Sequence, residues 1–188
     1  IITNCGFGNK ISKKIELISR LTSAQSTLCL NDSSVVKFER NNFINDAFGN
    51  SITTSFRVFD FSEDENKNYL TIAAKHNAYE DNFNYTHQRI IKIEKKNSNL
   101  LGEDKLVSVK KNKKLLNMYN IRFHLYPGID AVQTIGKNSI LIQIEKNKSL
   151  IFTSTADNLI INNFCITLEG ALNNNENKNI SWELKRNN

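Results

Sequence analysis

Three histidines are the side chains of this sequence that titrate closest to neutral pH, and the residues around each decide what chemistry it could do. They occur in Lys75-His76-Asn77-Ala78-Tyr79, in Thr86-His87-Gln88-Arg89 and in Arg122-Phe123-His124-Leu125-Tyr126-Pro127-Gly128. None belongs to a His-x-His, His-x-x-x-His or Cys-x-x-Cys spacing, so the close ligand pairs that build zinc sites are missing. His76 and Tyr79 close one segment of alternating apolar character, residues 80–85 follow, and His87 and Arg89 open the next. If these segments form a hairpin, His87 and Arg89 share a face by period two, with His76 and Tyr79 at the same loop end. Such a patch is aromatic and cationic. It suits an acidic saccharide, whose carboxylate pairs with Arg or His; the plainer alternative is a solvated hairpin end.

Arg122 and His124 also fall on one face, and Pro127-Gly128 then ends their strand in a turn. An arginine leaving water needs an acidic partner, and Glu103 or Asp104 is expected to supply it in a structural ion pair. Gly6-Phe7-Gly8 lacks the remaining glycines and the helix of a phosphate loop, and no Gly-x-Ser-x-Gly elbow supports serine catalysis.

The elements that must position these residues read as strands. Ile52, Thr54, Phe56 and Val58 alternate, as do Leu70, Ile72 and Ala74. Ile140, Ile142 and Ile144 run into Glu145-Lys146-Asn147-Lys148 before Leu150 and Phe152 resume the pattern, which predicts a hairpin. Further runs cover 91–93, 106–109, 121–125, 159–161, 165–168 and 180–184. Residues 13–21 fit a short helix or an irregular strand, and the polar stretch 173–179 reads as a mobile loop. Strands at this spacing with little or no helix predict an all-β antiparallel sandwich, one domain over residues 1–188.

With 188 residues, 11 Phe and 5 Tyr the chain can fill a two-layer core. Its net charge of +6 would favour any polyanion, but without a stacking platform a nucleic-acid role rests on charge alone. The densest basic run, Lys110, Lys111, Lys113 and Lys114, reads as an exposed loop. Cys5, Cys29 and Cys165 are odd in number and far apart, and read as small buried hydrophobes. No stretch is apolar for long enough to span a membrane as a helix. The start at Ile1, in strand character and without Met, leads to the expectation of a fragment of a larger protein.

Six segments taken in order resemble the heparinase II/III-like family. They are Ile2-Thr3-Asn4-Cys5-Gly6, residues 20–28 (Arg-Leu-Thr-Ser-Ala-Gln-Ser-Thr-Leu), His76-Asn77-Ala78-Tyr79, Thr86-His87-Gln88-Arg89, Leu101-Gly102-Glu103-Asp104, and residues 122–128 from Arg122 to Gly128. The resemblance implies the C-terminal β-sandwich of a polysaccharide lyase that cleaves uronate-containing glycans by β-elimination. It also implies a missing upstream α/α-toroid domain that carries the catalytic tyrosine and much of the substrate channel, and a periplasmic or extracellular location. Within this chain His76, Tyr79, His87 and Arg89 are then expected to line a substrate-facing edge, with His87 the one candidate for a catalytic role; Arg122, His124, Glu103 and Asp104 are expected to be structural. Asn4 and Gln25 stand where the family has Asp and His metal ligands. Neutral amides are poor zinc ligands, so neither metal nor other cofactor is expected.

The chain alone is expected to be inactive, its partners being an acidic polysaccharide and its own toroid. A sandwich that begins at residue 1 leaves an edge open, which gives a route to homodimers by strand pairing. The competing reading is a non-catalytic carbohydrate-binding or structural module in surface-polysaccharide metabolism.

Overall fold

The computed structural model describes residues 1–6, 11–39, 55–109, 117–173 and 175–187. Two antiparallel sheets face each other. The smaller runs β1 (Ile2–Thr3), β7 (Asn117–Leu125), β12 (Cys165–Leu172), β11 (Asn158–Asn162), with β2 (Leu28–Leu30) lying further along β7. The larger has the order β3 (Val58–Glu65), β4 (Tyr69–His76), β5 (Tyr85–Glu94), β6 (Asn99–Ser108), β13 (Lys178–Asn187), β10 (Lys148–Ser154), β9 (Ser139–Glu145), β8 (Asp130–Gln133). The predicted sandwich is the observed architecture.

Alternation sets the layers. On β7, Tyr119, Ile121, Phe123 and Leu125 turn inward and are buried, while Met118, Arg122 and His124 face out. Leu106, Ile140, Ile142, Phe152, Ile180, Trp182 and Leu184 meet them from the larger sheet. Phe123, Phe152 and Trp182 form the aromatic centre, with Phe123 edge-on to Trp182 at 4.8 Å and tilted against Phe152 at 5.1 Å. Burying a side chain of this kind stabilises the fold by roughly 1.5–3 kcal/mol.

The predicted hairpin is β9–β10, with Ile140 opposite Phe152 and Ile142 opposite Leu150. In the segment before β4, Ile52 and Thr54 lie outside the described residues, as do Gly8 and the Lys110–Lys114 run; Phe56 precedes the strand that Val58 opens. On β4 it is Ala73 that is buried and Ile72 that is half-exposed, opposite to the expected parity. Residues 13–19 form a helix, α1 (Lys13–Ser19), started by the Ser12 hydroxyl accepting from Ile15 N. The loop before β13 is anchored, since the Tyr85 hydroxyl reaches the Asn173 and Glu176 carbonyls. β1 lies in the stretch of strand character at Ile1, while β2 is a short strand outside the predicted runs; both pair with β7.

The edges of the larger sheet carry features that oppose pairing with another sheet. β3 is acidic and bulged between Phe59 and Ser62, with Asp60 at φ 52°, and β8 is four residues long. Among the described residues no helix is long and apolar enough to cross a membrane.

Candidate functional site

β4 and β5 form the expected hairpin, and its register puts His76 directly opposite His87. Between them stands a single helical turn, α2 (Glu80–Phe83), closed by Asn84 at φ 61°, a left-handed position that Asn tolerates. The turn swings Tyr79 inward, where its hydroxyl donates to the Leu28 carbonyl at 2.6 Å, and burial pushes its pKa up.

From this corner a chain of hydrogen bonds runs into the sandwich. Ala78 N–H donates to His76 Nδ1 at 3.2 Å; His76 Nε2 lies 3.0 Å from His87 Nδ1; His87 Nε2 lies 2.7 Å from Asp104 Oδ1. Only one assignment satisfies every link with neutral rings: each imidazole carries its proton on Nε2 and accepts on Nδ1. Asp104 is fully buried and accepts four hydrogen bonds, from His87 and Arg89 Nε (2.8 Å) on Oδ1 and from Arg89 Nη2 (3.0 Å) and Trp182 Nε1 (2.9 Å) on Oδ2. That saturates a carboxylate. Arg89 also donates to the Ser26 carbonyl at 2.6 Å and lies over the Phe123 ring at 5.8 Å, so it ties the segment before β2 to both sheets.

The electrostatics follow from burial and the fork of Arg89. Burial alone would raise the Asp104 pKa, yet the Arg89 charge and the His87 hydrogen bond outweigh it and hold the carboxyl well below the usual range. His76 is pushed down to about 4, first by burial and then by the neighbouring His87 and Arg89. One buried ion pair, Asp104 with Arg89, therefore carries the two imidazoles in series.

The sequence grouped His76, Tyr79, His87 and Arg89, and the structure does bring them together, but facing the inside of the sandwich. Tyr79 and His87 are each 2% exposed, so only the partly buried His76 and Arg89 reach towards solvent. Asp104 is structural as expected, with a different partner. Arg122 pairs instead with Asp32 (2.9 Å) and Asn120 (2.6 Å) on the outer face of the smaller sheet, and Glu103 pairs with Lys105 (3.0 Å) and Asn179. The reason is parity: residue 104 turns inward on β6 while residue 122 turns outward on β7. Trp182 was missed, and so was Gly102 beneath it: a Cβ on Gly102 would come within 1.9 Å of the indole.

Asn4 and Gln25 are used as amides. Asn4 Oδ1 accepts from Ser26 N at 2.9 Å, and Gln25 Nε2 donates to the Ser19 carbonyl at 2.7 Å. Neither a neutral charge nor these commitments fits a zinc ligand. The cysteine expectation needs correction: Cys29 is buried, but Cys5 is exposed and Cys165 half-buried.

A groove of about 510 Å³, lined in part by Lys92, Glu103, Thr153 and Glu183, lies on the opposite, outer face of the larger sheet.

Two antiparallel sheets locked by a His–His–Asp–Arg cluster thus define an all-β sandwich domain. The chain belongs to the heparinase II/III-like C-terminal family, whose model matches residues 1–185. The fold is shared with a mutant of the heparan sulfate lyase HepC from Pedobacter heparinus (TM-score 0.69, 15% identity, 98% of this chain and 28% of that one). The same holds for HepC itself (0.65, 15%, 92% and 25%) and for a heparinase III (0.60, 11%, 93% and 25%). This chain therefore spans about a quarter of the length of those lyases. No curated protein sequence matches it.

Proposed function

We propose that this chain is the C-terminal β-sandwich of a polysaccharide lyase that cleaves a uronate-containing glycan by β-elimination, contributing stability and part of the substrate-binding surface. Its family membership over residues 1–185 carries the reading. β-Elimination needs a base for the C5 proton, an acid for the departing oxygen and a group that neutralises the carboxylate. In this chain every ring nitrogen of His76 and His87 is already engaged within the protein, so the base and acid come from the upstream toroid. In this reading the Arg89 guanidinium, held from behind by Asp104, turns its remaining N–H groups to the glycan carboxylate, and His76, Tyr79 and His87 support it. His87 acts here as a positioning residue.

The same engagement of both imidazoles favours a second reading, a non-catalytic carbohydrate-binding or structural module. The two separate on the protein's upstream sequence and activity. An intact His-x-His and tyrosine, with unsaturated uronate formed from acidic polysaccharides, supports the lyase; replacement of those residues and glycan binding without product supports the module.

A further inference from the structure

Cys5, His124 and Cys165, which lie far apart in the sequence, meet on the outer face of the smaller sheet. Cys165 is directly opposite His124 across the β7–β12 ladder, and Thr3 is opposite His124 on the other side. Cys5, just past β1, places its sulfur 3.4 Å from His124 Nδ1, and Cys165, facing the same imidazole from the neighbouring strand, has its sulfur 3.8 Å from Thr167 Oγ1. His124 Nε2 lies 3.0 Å from the Ser23 carbonyl, which can only accept, so Nε2 carries the proton and the basic Nδ1 is turned to the thiols. Burial pushes the Cys165 thiol up, but His124, Thr167 and Arg122 outweigh it and bring the group below its ordinary value. Cys5 moves the other way, raised by burial and by Cys165. The exposed Cys5 is thus the poorer nucleophile and the half-buried Cys165 the better one.

We propose that Cys165 and Cys5 form a peroxide-responsive dithiol pair, with Cys165 the attacking thiol, Cys5 the resolving thiol and His124 the shared base. His124 Nδ1 takes the Cys165 proton, and the thiolate attacks the distal oxygen of a hydroperoxide, breaking the O–O bond. The products are Cys165 sulfenic acid and an alkoxide or hydroxide, which takes the proton back from His124. Cys5 then gives its proton to His124 and attacks the Cys165 sulfur; the S–O bond breaks and water leaves with that proton. Two thiols and one hydroperoxide become one disulfide, one alcohol or water, and one further water. The disulfide ties the segment after β1 to β12 across β7. Cys29, buried and donating to the Ser33 carbonyl at 3.1 Å, takes no part.

The test treats the full-length protein with hydrogen peroxide and maps thiol peptides by mass spectrometry. A Cys5–Cys165 linked peptide is expected in the wild type, with Cys29 still reduced. In Cys5→Ser a sulfenic acid at Cys165, trapped by a 1,3-dione, is expected, and His124→Gln should slow its formation about tenfold with the thermal transition retained. Equal oxidation rates with and without His124, a linkage through Cys29, a metal ion already held by these sulfurs in the purified protein, or no linked peptide would each overturn the assignment.

Discussion

His87 Nε2 lies 2.7 Å from Asp104 Oδ1, and this contact joins a surface hairpin to the centre of the sandwich. A carboxylate with no exposure and four donors is held by its neighbours alone, so each neighbour's removal exposes an uncompensated buried group.

Asp104→Asn should therefore be among the most costly substitutions in the domain. It leaves Arg89 without its counter-charge and offers a donor where two are already pointing. A loss of about 3–5 kcal/mol is expected, read as a lower urea midpoint at unchanged slope. By contrast Asp32→Ala, which frees Arg122 on the outer face, should cost under about 1 kcal/mol, because Asp32 is largely exposed.

Acidification should weaken the domain through His76. Its folded pKa of about 4 lies below the ordinary 6.5, so the unfolded state takes the proton first. Stability is full above pH 6.5, falls as pH drops from 6.5 to 4, and has no further His76 contribution to lose below that. The loss is on the order of 3 kcal/mol, at about 1.4 kcal/mol per unit. Asp104, whose folded pKa is depressed, keeps its contribution above pH 3.8 and loses it only below, outside this window. Melting temperatures measured across pH 4–7 should slope in the wild type and flatten in His76→Gln.

Gly102→Ala tests the packing of Trp182. The added methyl would overlap the indole ring, which is pinned by its hydrogen bond to Asp104, so the ring cannot swing away without breaking that bond. Overpacking of this kind costs about 1–3 kcal/mol and the broken bond adds to it. Quenching or shift of the emission of the chain's one tryptophan should accompany the lower midpoint.

The hairpin at His76 and His87 was legible because period two fixes which residues share a face, and two alternating runs around a six-residue break leave little choice of partner. The direction of that face was not legible. His87 and Arg89 are polar, and polarity suggests solvent; only their mutual satisfaction with Asp104 allows them inside. Charge alone leaves Glu103 and Asp104 both open as partners of Arg122, whereas ladder register on β5–β6 puts Asp104 opposite Arg89. Trp182 left a signal in the sequence, a lone tryptophan alternating with Ile180 and Leu184, but Gly102 in the midst of a strand run was needed to place it. The cysteine cluster left none, because strands β1 and β12 meet β7 from opposite sides and from opposite ends of the sequence.

Under the proposed function this domain completes a uronate lyase whose base and acid lie elsewhere. The most direct test supplies acidic polysaccharides to the full-length protein and to the isolated chain, and follows unsaturated uronate by ultraviolet absorbance. Product from the full-length protein and none from the isolated chain is the predicted result. Product from the isolated chain, or none from either with every glycan tried, would contradict it.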